Sequence, residues 1–327
     1  MTVRIDFPIV GDNLPEKEWP RIAVVGAGAV GSYFGGMLAR AGAPVTLIGR
    51  GPHVEAINRD GLFIDSIHFN ENVRVLASTE LAAARDAQLV LFSVKTVDTE
   101  GTAKLLAPYL APDTIVVSLQ NGVDNAERID IAAGIQAIPA VVYIAAAMIG
   151  LGRVKHLARG DLIIGKPLSN HDTDQSKLAD VAATFTRAQV PCGISENITA
   201  ALWEKLIMNC AYNAISALSR AKYGRIVQEP GMIEIMKRVV VEAVAVGDAA
   251  GVQLSADMMV AAVLKLGKAM PEALSSTAQD IARGKPTEID SLNGFLVRRG
   301  AEMGVRTPVN QALYSLVKLL EQAPLEK

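Results

Sequence analysis

Lys205, Asn209 and Asn213 recur at intervals of four in the segment ALWEKLIMNCAYNAISAL. On a helix turning about 100° per residue they fall within about 80° of arc, so the spacing predicts one polar stripe. A lysine there can stabilise negative charge developing on an oxygen and then hand that oxygen a proton. Two uncharged amides beside it can orient a small polar acid. The same stripe also reads as a solvated helix face, although asparagine is a poor helix former and gains little there unless its amide is used. Residue types and spacing alone leave these two readings level.

A second motif stands near the start of the chain. Gly26, Ala27, Gly28, Ala29, Val30 and Gly31 form a G-x-G-x-x-G turn that follows the apolar run Ile22–Val25 and opens a helical pattern. In that context the first glycine makes a tight turn, the second lets the backbone approach a pyrophosphate, and the third brings helix against strand. The phosphates then meet the helix N-terminus, which makes this an expected dinucleotide site. The next strand pattern, VTLIGR, ends on Arg50, where an NAD-binding turn usually carries an acid for the ribose 2′-hydroxyl. A guanidinium suits a 2′-phosphate instead, so the expected cofactor is NADPH/NADP+. Asp60 and Asp65 are the acids that would speak for NAD, and both lie past the expected strand end.

The elements that must position these groups follow from the periodicity. Residues 21–50 read strand, glycine turn, helix, strand. Further strand patterns at 87–94 and 114–119 are separated by a helical stretch at 99–110. Strands alternating with helices predict an α/β fold with an N-terminal doubly wound, Rossmann-type parallel sheet. Short apolar runs split by glycine between 139 and 164 predict more strands, antiparallel ones, at the far edge of that sheet. From about Ser195 the period changes to 3.6 in the stretches 196–218, 231–250, 255–268 and 288–303, which predicts a mostly α-helical C-terminal domain. The expected layout is an extension at 1–20, an NADP-binding Rossmann domain at 21–193, and a helical substrate and catalytic domain at 194–327.

Composition narrows the partners. A chain of 327 residues, half of them apolar and a fifth charged, can bury two cores. A formal charge of -2 without a basic face argues against nucleic acid and for a small molecule. Cys192, Cys210 and four scattered histidines give neither a disulfide framework nor metal-ligand spacing, so a cytoplasmic location is expected. The uncharged stretch 131–152 is long enough to raise a membrane span, but Gln136, Pro139 and its glycines predict buried strands instead. The first 20 residues carry acids and no continuous apolar run, unlike a secretory signal.

Three further motifs join the glycine turn and the K-x-x-x-N-x-x-x-N helix. They are Lys95 in SVK after the third strand, the QNG turn at 120–122, and SSTAQDIARGKPTEID at 275–290. Together they make the chain resemble the ketopantoate reductase family over roughly residues 21–320. The resemblance implies NADPH-dependent reduction of 2-dehydropantoate (ketopantoate), a small 2-oxo acid, on the way to pantothenate and coenzyme A. It implies Lys205 as general acid with Glu288 as its partner carboxylate, and Asn121, Asn209, Asn213 and Ser276 around the substrate. It sets the glycine turn from Gly26 to Gly31, with Arg50, Lys95 and Asn121, around the cofactor. Asp280 is a further motif acid, equally structural or catalytic.

Without the resemblance, Glu288 also reads as a first-turn helix acid, Ser276 as a helix N-cap and Asn121 as half of an Asn-Gly turn. Ala273 stands where the family commonly has another substrate-binding asparagine. A different small 2-oxo acid therefore stays open as the substrate, as does a non-catalytic, NADP-responsive regulatory role. A homodimer through the C-terminal domain is open as well.

Overall fold

The computed structural model describes residues 18–166 and 175–322. The chain forms two compact units that divide between Ile198 and Thr199.

In the first unit, β1 (Ile22–Val25) is buried at all four positions, as a parallel strand covered on both faces must be. It pairs in parallel with β2 (Val45–Ile48) on one side. Helix α1 (Ala29–Arg40) joins the two, and α2 (Gly51–Asp60) follows. A short excursion through β3 (Leu62–Ser66) and β4 (Asn70–Val73) then leads to β5 (Leu76–Ser78), which pairs with β2. The chain crosses to the other side of β1 with β6 (Leu89–Phe92), then α3 (Thr99–Leu106), β7 (Ile115–Ser118) and α4 (Asn125–Ala133). β8 (Ala137–Gly150) and β9 (Arg153–Gly165) form an antiparallel pair. Helix α5 (Gln175–Arg187) and β10 (Cys192–Ser195), which pairs with β9, complete the unit.

The strand order is β4-β3-β9-β8-β7-β6-β1-β2-β5. This is the doubly wound α/β sheet, with the antiparallel strands toward one side. The uncharged stretch that raised a membrane span is largely β8, buried at its first six positions. Among the described residues no helix is long and apolar enough to cross a membrane.

Packing explains why small residues recur on α1. A Cβ on Gly35 would come within 2.6 Å of Leu47 and 2.8 Å of Val24, so the helix lies almost on the strands. Side chains guard both ends of the strand order in different ways. At β5 the Asn58 amide donates to Ala77 O (2.9 Å) and its oxygen accepts from Ala77 N (3.0 Å). At β4, Glu71 pairs with Arg40 (2.7 Å).

The second unit is helical: α6 (Ile198–Ser219), α7 (Tyr223–Ile226), α8 (Pro230–Ala249), α9 (Ala256–Ala269), α10 (Ser276–Ala282), α11 (Asn293–Met303) and α12 (Pro308–Gln322). Its interior is built from Val239, Val240, Ala243 and Val246 on α8, Leu296 on α11 and Val317 on α12. Tyr212 stacks on Tyr223 at 4.1 Å and donates to Val263 O (2.7 Å), fastening α6 to α7 and α9. The expected helix at 288–303 is divided. A single 3-10 turn, Ile289–Ser291, precedes α11, because the Thr287 hydroxyl accepts from Ile289 N (3.2 Å). The Asn293 side chain is meanwhile drawn inward to Cys210 O (3.2 Å) and Asn310 Oδ1 (2.9 Å).

Candidate active site

In the sheet unit every candidate residue sits at the carboxyl end of a parallel strand. The glycine turn follows β1, Arg50 follows β2, Lys95 follows β6 and Asn121 follows β7. The strand order reverses at β1, and open α/β sheets bind ligands outside the carboxyl ends at such a point.

The three glycines have separate tasks. Gly26 has φ +104, and a Cβ there would press within 2.7 Å of the Ser93 and Val94 backbone. On Gly31 a Cβ would collide with Gly26 O and Ser93 Oγ, while the Ser93 hydroxyl donates to Gly26 O at 2.8 Å. At Gly28 a Cβ would meet nothing within 4 Å, so the protein's own packing does not demand glycine there. Gly28 caps α1 without a side chain, and the first N–H groups of the helix, including those of Ala29, Val30 and Gly31, have no partner within the helix. An open approach to a helix N-terminus fits a pyrophosphate, so these residues fit a dinucleotide.

Arg50 lies beside this turn. Gly26 N and Ala27 N both donate to Ile48 O (3.0 and 2.9 Å), and a Cβ on Gly49 would come within 2.9 Å of the Ala27 Cβ. The exposed Arg50 side chain starts one residue further on, at the N-cap of α2. The two acids that would have spoken for NAD are elsewhere: Asp60 pairs with Arg59 (2.7 Å) and Asp65 with Lys155 (3.1 Å).

A buried polar network ties the SVK and QNG turns together. Gln120 Nε2 donates to Thr99 Oγ1 (2.7 Å) and Val94 O (3.1 Å), and its oxygen accepts from Ser118 Oγ (3.1 Å). Asn125 Nδ2 and Thr96 Oγ1 both donate to Asn121 O (2.6 and 3.3 Å). Each such bond contributes about 1 kcal/mol. Together they fix the spacing of Lys95 and Asn121.

His53 on α2 makes a second tether. Its Nδ1 accepts from Gly152 N (2.9 Å), which leaves Nε2 as the donor toward Ser32 Oγ (3.3 Å). Ser32 in turn donates to Ala27 O (3.2 Å), inside the glycine turn. Burial holds the imidazole below its usual pKa, consistent with a neutral ring in this chain of bonds.

In the helical unit α6 presents the stripe. Lys205 and Asn209 are half-buried and Asn213 is 3% exposed. No residue from Ile198 to Ala217 is exposed, which removes the solvated-face reading. Asn213 Nδ2 donates to Ser276 Oγ (3.4 Å), so two of the expected substrate residues meet. Ser276 is not the helix cap. Ser275 caps α10, accepting from Ala278 N (3.0 Å), and donates to Asn213 O (3.2 Å). Ser276 is the first helical residue, with its hydroxyl left for Asn213. Glu288 is half-buried just ahead of the 3-10 turn, not in the first turn of an α-helix. Asp280 lies on α10, and Ala273 in the turn before it.

Sequence reasoning missed Thr96, Thr99, Asn125, Ser32 and His53. They carry no motif, and the one signal available was a cluster of polar residues directly after strand patterns.

Two family models match. Ketopantoate reductase PanE/ApbA covers residues 22–168, and its C-terminal model covers residues 197–321. The chain is 34% identical to 2-dehydropantoate 2-reductase of Pyrococcus horikoshii over 302 residues, 92% of this chain and 97% of that one. Among solved structures it is similar to a PanE/ApbA family ketopantoate reductase from Ralstonia eutropha JMP134, with 46% identity, TM-score 0.85 and coverage of 92% and 98%. It is also similar to 2-dehydropantoate 2-reductase from Geobacter metallireducens GS-15, with 29% identity, TM-score 0.85 and coverage of 91% and 99%. Because the two models account for both units, from the glycine turn to α12, the chain belongs to the ketopantoate reductase family.

Proposed function

We propose that this protein reduces 2-dehydropantoate to (R)-pantoate with NADPH, a step toward pantothenate and coenzyme A. The observation that carries the reading is the stripe of half-buried Lys205 and Asn209 and buried Asn213, with Ser276 on its last residue. A bound nicotinamide nucleotide supplies the hydride. Lys205 stabilises the charge that appears on the ketone oxygen and delivers a proton to it, and Glu288 holds the ammonium in place. Asn209, Asn213 and Ser276 donate hydrogen bonds to the substrate's carboxylate and hydroxyl without adding charge. On the cofactor side, the α1 N-terminus takes the pyrophosphate and Arg50 takes the 2′-phosphate. Lys95 and Asn121, held by the Gln120 network, flank the nicotinamide end.

The test is steady-state oxidation of NADPH with 2-dehydropantoate, 2-oxoisovalerate, 2-oxobutyrate and pyruvate, repeated with NADH. A clear preference for 2-dehydropantoate and NADPH is expected. Preference for another acid would keep the chemistry and change the substrate, a reading that Ala273 favours because it offers no amide beside Ser275 and Ser276. No turnover by protein that binds NADPH would favour a regulatory role. Lys205→Ala is expected to lower kcat at least ~100-fold while leaving NADPH affinity intact. Normal turnover would remove Lys205 from the mechanism.

A further inference from the structure

Glu288 lies between two residues, Thr287 and Asp290, that are both held by α12. Thr287, 5% exposed, donates to Glu321 Oε1 twice, from its backbone N (2.8 Å) and its hydroxyl (2.7 Å). Asp290 accepts from Tyr314 through Oδ1 (2.7 Å) and from Lys318 through Oδ2 (3.0 Å). Lys318 also pairs with Glu321 at 2.8 Å, so the two grips share one lysine. Between them, Ile289 is fully buried. Glu288 therefore sits in a four-residue segment pinned at its first and last members, and its backbone has little freedom of its own.

We infer that α12 is a positioning element for Glu288, with Glu321 and Lys318 fixing the place from which its carboxylate reaches the reaction. The inference rests on the role of Glu288 proposed above.

The charge balance supports it. The Glu321 side chain is only 14% exposed. Burial would push its carboxyl up, but Lys318 and the two Thr287 donors outweigh that and hold it below the usual carboxylate range. Asp290 behaves alike: burial opposes ionisation, and Tyr314 and Lys318 more than offset it. A segment that merely joined α10 to α11 would need no pair of carboxylates sharing one lysine of α12. Misplacing a catalytic group by about 1 Å can cost about 100-fold, so a loosened segment would show in the chemical step.

The experiment compares Glu321→Ala, Glu321→Gln, Lys318→Met and Tyr314→Phe in the full-length enzyme. Each is assayed for kcat, KM for the 2-oxo acid, NADPH affinity and Tm. Glu321→Ala and Lys318→Met are expected to lower kcat ~10- to 100-fold with KM and NADPH affinity within about twofold. Glu321→Gln keeps an acceptor for both Thr287 donors and is expected to recover most of the loss. Tyr314→Phe removes one bond, should fold normally, and is expected to fall between. Gln311→Ala, which loses only a bond to Ser315 on the same helix, is the unaffected control.

A drop in Tm across the series with kcat unchanged would make the clamp purely structural and overturn the inference. Glu288→Gln separates the two levels. If it lowers kcat and the α12 variants do not, the clamp is wrong and the role of Glu288 stands. If Glu288→Gln itself turns over normally, the reading of Glu288 fails and takes the clamp's purpose with it.

Discussion

At Gly28 the surrounding atoms leave room for a methyl group, and at Gly31 they do not. The two substitutions should therefore separate ligand space from packing. Gly28→Ala, at an ordinary φ of -80, is expected to leave the Tm of the free protein unchanged and to weaken nucleotide binding ~10-fold or more, because the added carbon occupies the approach to the α1 N-terminus. Gly31→Ala is expected to destabilise the fold by about 1–3 kcal/mol, since Gly26 O and Ser93 Oγ must both move. Thermal unfolding and a nucleotide fluorescence titration on each variant decide it, and equal losses in both would mean Gly28 is packed after all. Arg50 is tested by discrimination. Arg50→Asp should weaken NADPH binding far more than NADH binding, and equal weakening would show that its guanidinium does not read the 2′-phosphate.

At the scale of elements, what was legible in the sequence tracks how local the determinant is. The α6 stripe and the glycine turn were readable because a fixed period or a fixed spacing encodes them within one element. The cap of α10 was displaced by one residue, because two adjacent serines are chemically equivalent until Ser216 Oγ accepts from Ser275 N (3.4 Å) and selects Ser275. The helix expected at 288–303 is divided for a similar reason. Its hydrophobic period runs through the break, and what interrupts it, Asn293 reaching Cys210 and Asn310, is a contact across many residues of sequence. α12 lies beyond the expected helices, and Pro308 opens it as an N1 proline should. The two serines now predict different phenotypes. Ser275→Ala should cost about 1 kcal/mol of stability with a small effect on catalysis. Ser276→Ala should raise KM for the 2-oxo acid and leave Tm in place, and the reverse pattern would return the cap to Ser276.

Across the whole molecule, the ionisable groups set how stability follows pH. Burial holds His53 and His156 below the usual imidazole value of 6.5. The unfolded chain then binds protons that the folded chain refuses, so the contribution of these two histidines should be level above pH 6.5 and fall away as pH drops below it. Asp290 and Glu321, whose carboxyls lie below 3.8 and 4.5, keep their contribution above those values and lose it in a second, more acidic step. Tm measured across a pH series should show both steps, and His53→Gln should shrink the first. A Tm that rises on acidification from pH 7 to 5 would contradict the assignment of neutral, buried imidazoles.

A further property follows from how the strand order ends. The last strand of an open sheet normally offers a row of N–H and C=O groups that can template another chain. Here Asn58 makes the outermost pair of bonds to β5 with its own side chain, and Arg40 and Glu71 put paired charges on β4. Copies crowded together, or caught partly folded, therefore find the β5 margin already bonded and the β4 margin charged. At β5 this guard against edge-to-edge polymerisation comes from one asparagine side chain beside the exposed Leu76.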